Sequence, residues 1–100
     1  MTLFVIGKPI NHSLSPVIHN FWIKKYQIGL EYRKMEVDKE SLPSLIEKVR
    51  KKEITGLNVT LPYKKDIIMY IDEISDTAKD IGAINTIFLK KNKVYGENTD

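Results

Sequence analysis

The sequence predicts an α/β fold: a three-layer α/β/α sandwich on a mostly parallel sheet of about six strands, with one antiparallel hairpin pairing. Three observations predict it. β-rich and amphipathic segments alternate along the chain, as they do when helices cross over between parallel strands. Near the end, two β-rich segments flank a short polar turn, as in a hairpin. The chain has 100 residues, 42% of them hydrophobic. A chain of that size is expected to bury roughly 65% of its unfolded surface, enough for one core and one domain over 1–100.

The elements follow in order. Thr2-Leu3-Phe4-Val5-Ile6 is β-rich and stops at Gly7, so it reads as a buried first strand. A loop runs from Gly7 to Leu14. Ser15-Pro16 then has the form of an N-cap followed by proline at the first helical position. Val17, Ile18, Phe21, Trp22 and Ile28 recur at roughly helical spacing, which predicts a helix to about Gln27 with Gly29 past its end. Glu31 to Val37 reads as a second strand. Leu42, Leu45, Ile46 and Val49 fit one helical face, with Pro43 at its start and Arg50-Lys51-Lys52 at its end.

Gly56 to Thr60 reads as a third strand, stopped by Pro62. Lys64 to Tyr70 predicts a short helix. Ser75 to Ile81 predicts another, with Ser75 as cap and Gly82 as terminator. Ala83 to Leu89 and Val94 to Tyr95 pair as a hairpin around Lys91-Asn92-Lys93.

Composition excludes several classes of function. No cysteine is present, which removes disulfides, thiolate metal sites and thiol nucleophiles. His12 and His19 are too few for a histidine metal cluster, and no carboxylate–histidine group suggests one. No apolar run approaches membrane-spanning length, and no basic segment precedes an apolar one at the start. A cytoplasmic protein without membrane or metal is the expectation. Sixteen basic residues against 13 acidic leave a net charge of +3. The lysines fall at helix ends and turns and are not interleaved with aromatics, so a solvated surface is expected in place of a nucleic-acid footprint.

Ligands of such sheets sit beyond the carboxyl ends of the strands. The polar segments after the first and third strands fall there. In Asn11-His12-Ser13-Leu14-Ser15, two hydroxyls precede a helix start, where free N–H groups and the helix dipole suit a carboxylate or phosphate. Helix capping explains Ser15 equally well. In Asn58-Val59-Thr60-Leu61-Pro62-Tyr63-Lys64-Lys65, alternation puts Asn58 and Thr60 on one face. A lysine at the mouth of such a crevice can orient a carbonyl or hydroxyl and exchange a proton with it, given help from burial or a neighbouring charge. Asp100 is a candidate for that charge. A pair of solvated lysines in the first turn of a helix is the plainer reading, although that position disfavours cations. Asn85 sits in an apolar strand, where its amide needs partners. Asn98-Thr99-Asp100 gathers a donor, a hydroxyl and a carboxylate, which turn chemistry would also explain. The five glycines form neither Gly-x-Gly-x-x-Gly nor a P-loop.

Four stretches, in order and spread over the whole chain, closely resemble the N-terminal substrate-binding domain of the shikimate dehydrogenase family. They are Gly7-Lys8-Pro9-Ile10 with His12 to Pro16, Asn58 to Lys64, Gly82 to Thr86, and Gly96 to Asp100. The resemblance implies an oxidoreductase that reversibly reduces 3-dehydroshikimate to shikimate with NADP(H), on the way to chorismate and the aromatic amino acids. It implies that Ser13 and Ser15 bind the substrate carboxylate and that Thr60 helps fix the substrate. It places ring hydroxyls on Asn85 and Asp100, with Asn58 supporting them. Lys64 and Asp100 become the acid–base pair; Lys65 matches no motif position. The family's nicotinamide domain and returning C-terminal helix lie outside this chain. These residues alone are therefore expected to bind substrate without turnover and to hold no cofactor, and a homodimer is possible.

Other readings compete. A quinate/shikimate dehydrogenase would differ around Ser13 and Ser15. A non-catalytic module for a small hydroxy-acid would fit the bare chain. The methylenetetrahydrofolate dehydrogenase group has a related architecture, but its Tyr-x-x-x-Lys pairing is not found here: none of the five tyrosines has lysine four places on.

Overall fold

The structure, a computed structural model, describes residues 2–8, 20–22, 24–25 and 31–99. Ser13, Ser15, Asp100 and the two histidines lie outside the described residues, as does most of the expected first helix. Residues 20–22 and 24–25 are helical and fall within its expected span.

Six strands form one sheet: β1 (Thr2–Gly7), β2 (Glu31–Glu36), β3 (Gly56–Val59), β4 (Glu73–Ile74), β5 (Thr86–Lys90) and β6 (Lys93–Glu97), in the order β2-β1-β3-β5-β6-β4. β1 pairs parallel with β2 and β3, and β4 pairs parallel with β6. β5 alone runs the other way, so it is antiparallel to β6 in the expected hairpin and also to β3. Helix α1 (Leu42–Arg50) joins β2 to β3, and α2 (Asp76–Ile81) lies between β4 and β5.

The chain moves from β1 outward to β2 and then back past β1 to β3. Right-handed crossovers in opposite directions put the two connecting helices on opposite faces, and the packing agrees. On one face Leu42, Leu45, Ile46 and Val49 of α1 meet Ile6, Leu57, Val59, Ile87 and Val94. On the other, fully buried Trp22 packs with Leu3 and Phe88, flanked by Phe21 and Tyr95. The layering is the expected sandwich. Gly56 is required by this second face. A Cβ there would sit 2.5 Å from the Trp22 ring and 2.8 Å from the Ile87 carbonyl.

Several expectations change at the edges. Lys64 to Tyr70 is not a helix from its first residue; a 3-10 turn begins at Asp66 and ends at Tyr70. The Lys64 carbonyl accepts from Ile84 N–H (2.9 Å), and Ile68 N–H turns to Lys65 (3.2 Å). Lys64 therefore does not occupy a helical first turn, and the penalty such a turn sets on a cation does not apply to it. Residues 83–85 stay outside β5. The hairpin loop is Lys91-Asn92 alone, because Lys90 pairs with Lys93. Both loop residues have positive φ, 53° and 64°, the backbone sense that follows the twist of the strands. The basic residues also meet aromatics after all: Lys25 Nζ lies 4.0 Å from the Phe88 ring centroid and Lys90 Nζ 4.5 Å from that of Tyr95. Burial, with Lys90 nearby, holds the Lys25 ammonium below its ordinary pKa. Ser75 does cap α2, accepting from Ala78 N–H (3.0 Å), and Gly82 closes it at φ 77°.

The two-residue strand β4 has no periodic signal to reveal it. A side chain clips it in place. Asp72 Oδ2 accepts Val94 N–H (2.8 Å), Asp72 N–H donates to the Val94 carbonyl (3.0 Å), and Arg50 of α1 reaches Asp72 Oδ1 (3.0 Å). The Val94 N–H, and then Arg50, hold the Asp72 carboxyl below the ordinary carboxylate range. A lowered folded pKa means stability that is complete above the unfolded value and fades as pH falls through the folded one. Asp72→Asn should cost about 1 kcal/mol near neutral pH, since the site is partly solvated. It should also flatten the fall in stability between about pH 5 and pH 2, which urea unfolding followed across that range will read.

Candidate functional site

The sheet topology brings five chain segments to one rim. The carboxyl ends of β1, β2, β3 and β6 point there, and because β5 is reversed its amino end does too. The rim therefore carries Lys8, Val37-Asp38, the turn after β3, the stretch 83–85 before β5 and Asn98-Thr99 after β6. Asn85 reaches this end of the sheet by preceding a reversed strand, and Asn98 by following a forward one.

The turn after β3 is held from several sides. Thr60 N–H donates to the Ile6 carbonyl (2.9 Å), Lys8 N–H to Leu61 (3.1 Å) and Tyr63 N–H to Thr60 (3.1 Å). The Leu61–Pro62 bond is cis. The buried Tyr63 hydroxyl donates to the Val37 carbonyl (2.7 Å), so Tyr63 anchors the turn while half-buried Lys64 follows it at the rim. Across the β1 and β2 ends, Lys8 pairs with Asp38, which raises the Lys8 ammonium pKa.

A bracket of amides joins the turn to the other segments. Asn58 and Asn85 are 3% and 1% exposed. Asn58 Oδ1 accepts the Trp22 indole N–H (2.6 Å), while its amide nitrogen donates to the Asn85 carbonyl and to Thr86 Oγ1, both at 3.1 Å. Both amide protons of Asn58 are thus committed within the protein. Asn85 Oδ1 accepts from Thr86 Oγ1 (2.8 Å) and Thr99 N–H (3.1 Å), and Asn85 Nδ2 donates to Thr99 Oγ1 (3.0 Å). One amide proton of Asn85 is left without a protein partner among the described residues. The Asn98 amide donates to the Ala83 carbonyl (3.0 Å).

Of the residues singled out in the sequence, the structure gathers Asn58, Thr60, Lys64 and Asn85 at this one rim. Ser13, Ser15 and Asp100 lie outside the described residues. Sequence reasoning misses the partners: Trp22 reads only as an apolar helix position, Tyr63 and Thr86 only as parts of motifs, and Thr99 only as a hydroxyl grouped with Asn98 and Asp100. The buried asparagines are the signal that could have found them, because a buried amide must have neighbours that satisfy it.

What the rim can do is hold a small, oxygen-rich molecule between hydroxyl, amide and ammonium groups. No group of three or more His, Cys, Asp or Glu could hold a metal among the described residues. Gly7, Gly29, Gly56, Gly82 and Gly96 are too far apart to form the glycine-rich turn that cradles a dinucleotide pyrophosphate. Among the described residues, no helix is long and apolar enough to cross a membrane.

Comparison with known proteins adds to this. A family model described as "Shikimate dehydrogenase substrate binding domain" matches residues 5–87. The shikimate dehydrogenase (NADP(+)) of Pelagibacter ubique is 50% identical over 99 residues, covering 99% of this chain and 37% of that protein. That of Clostridium beijerinckii is 53% identical over 96 residues, covering 96% and 36%. The solved structure of shikimate dehydrogenase 1 from Peptoclostridium difficile superposes with a TM-score of 0.78 at 41% identity, over 98% of this chain and 36% of that one. A shikimate 5-dehydrogenase from Thermus thermophilus, solved in complex with shikimate, gives 0.77 at 33% identity, over 98% and 38%. The chain thus spans a little over a third of the length of these relatives. A 5-ketofructose reductase from Gluconobacter shares the fold at 21% identity, with a TM-score of 0.78.

The amide bracket can be tested without any ligand. Asn58→Leu keeps the branched shape but removes the acceptor bonded to the Trp22 indole N–H and the donor to the Asn85 carbonyl and Thr86 Oγ1. It should cost about 2–3 kcal/mol in urea unfolding. A loss within the scatter of surface substitutions, about 0.5 kcal/mol, would mean that the indole finds another acceptor.

Proposed function

Because this chain belongs to the shikimate dehydrogenase substrate-binding domain family, we propose that its rim binds shikimate and 3-dehydroshikimate and supplies the proton-handling half of their NADP(H)-dependent interconversion. The observation that carries the reading is the convergence of Thr60, Lys64 and Asn85 at one end of the sheet, where one buried Asn85 amide proton has no partner among the described residues. The named relatives support the reaction class.

Ser13 and Ser15 hold the ring carboxylate. Thr60 and the spare Asn85 proton engage ring hydroxyls together with Asp100. Asn58, whose amide protons are already used, orients Asn85 and Thr86 from behind. Lys64 meets the reacting oxygen. When the carbonyl at C3 is reduced, negative charge develops on that oxygen, and an ammonium within hydrogen-bond distance stabilises it and delivers a proton. In the reverse direction the same group, as free amine, takes the hydroxyl proton. Asp100 orients both the lysine and the neighbouring hydroxyl. The dinucleotide supplies or accepts hydride when bound, and it is held by residues other than those described here. This assigns the chain to the shikimate pathway and to an intracellular, cytoplasmic setting.

An NMR titration of the 100-residue chain with shikimate tests binding. The amides of Ser13, Ser15, Lys64 and Asn85 should shift together and saturate. A folded chain whose signals at these positions stay still would sink the assignment. The catalytic role is read in the longer enzyme that joins this domain to its cofactor-binding part. There, Lys64→Ala should lower kcat by about 100-fold or more and change KM far less. Equal losses in binding and in kcat would make Lys64 a binding residue only.

A further inference from the structure

Three groups behind the rim can play only one part in a hydrogen bond. The Trp22 indole N–H and the Thr99 backbone N–H donate, and the Asn85 carbonyl accepts. Together they fix which way each buried side chain between them faces. Asn58 lies between the indole and that carbonyl, so its Oδ1 turns to Trp22 (2.6 Å) and its Nδ2 to the Asn85 carbonyl (3.1 Å). The same Nδ2 also donates to Thr86 Oγ1 (3.1 Å). A hydroxyl carries one proton, and Thr86 passes its own on to Asn85 Oδ1 (2.8 Å). Thr99 N–H meets that oxygen as well (3.1 Å). Two donors fill the two lone pairs of Asn85 Oδ1. Asn85 Nδ2 gives one proton to Thr99 Oγ1 (3.0 Å), and its other proton has no partner among the described residues. Trp22, Asn58, Asn85 and Thr86 are all buried.

We propose that Thr86 is a positioning residue that sets the hydrogen-bond polarity of the site: by donating to Asn85 Oδ1 it holds that side chain so that Asn85 meets a ligand oxygen as a donor and never as an acceptor. This rests on the reading of the rim as the shikimate site. Thr86 is fully buried and acts through Asn85 alone. Its hydroxyl carries to the rim a direction that begins at the Trp22 indole, because each group along the way has one arrangement left to it. The selectivity that follows is for an oxygen with a lone pair to offer, such as a ring hydroxyl whose own proton is directed elsewhere. A group that can only donate, such as an ammonium in the same place, finds no acceptor on Asn85.

Shikimate titrations followed by NMR test this in the parent chain and in two variants. In the parent, one proton of the Asn85 side-chain amide should move strongly as shikimate binds, while its geminal partner, held by Thr99, moves far less. Thr86→Val removes the hydroxyl and keeps the branched shape; Thr86→Ser keeps the hydroxyl. Thr86→Val should weaken shikimate binding by about 5- to 10-fold and shift both Asn85 amide protons in the free protein. Thr86→Ser should return both readings to parent values. Parent-like binding by Thr86→Val, or equal weakening by Thr86→Ser, overturns the positioning role while leaving the shikimate reading intact. So does a shikimate-bound parent in which neither Asn85 amide proton moves, a result that stands even if Thr86→Val does not fold. Absence of binding by the parent chain overturns both, since no ligand oxygen then remains for Asn85 to meet.

Discussion

Buried amide groups must find partners, and here that constraint is concentrated on Asn85. Its N–H donates to Glu97, its carbonyl accepts from Val59 and from the Asn58 side chain, and its own side chain is shared between Thr86 and Thr99. Those bonds join the strand that precedes the rim, the strand that reverses there and the segment that leaves it. Leaving any one of these buried groups unpaired costs on the order of 1–3 kcal/mol, so the three segments hold each other in one arrangement. The hydrophobic layers bring the strands together; the amides decide how their ends are set. Among the described residues these bonds are made within the protein itself, so a ligand is spared the cost of forming them.

Much of the fold was legible in the sequence because it follows from periodicity and punctuation. The stripe Leu42, Leu45, Ile46, Val49 names the buried face of α1, and Ser75 and Gly82 bound α2 as their chemistry requires. What stayed hidden depends on long-range pairing. β4 is two residues long and exists because Asp72 and Val94 meet, 22 positions apart. The stretch after Lys64 carries apolar residues at helical spacing, yet Ile84 takes the Lys64 carbonyl and a 3-10 turn forms instead. At the site, the motif residues were visible as types, while their partners were not. Asn58 stood on one face with Thr60 as a support for the hydroxyl-binding residues; only the structure shows its partners, with its amide protons committed inward and its oxygen given to Trp22.

Reversing one strand has an economical effect. If β5 ran parallel to its neighbours, Asn85 would stand at the far end of the sheet from Thr60 and Lys64. The two-residue loop at Lys91-Asn92 lies at that far end, so the reversal needs no long connection near the rim. Lys90 of this hairpin covers the Tyr95 ring, and Lys25 reaches the Phe88 ring from the helix on that face. Their ammonium groups rest on aromatic faces that the sheet alone would leave open, which accounts for part of the positive charge without any polyanionic partner.

Trp22 is the one tryptophan in the 100 residues. Its ring is fully buried, and its indole nitrogen is bonded to Asn58. The domain therefore carries its own optical reporter, linked to Asn85 through the Asn58 amide. Emission from this indole senses both the seating of its helix against Gly56 and the state of the acceptor on its nitrogen. Events at the rim can be followed in the unlabelled protein, in dilute solution, on the timescale of a stopped-flow mixer.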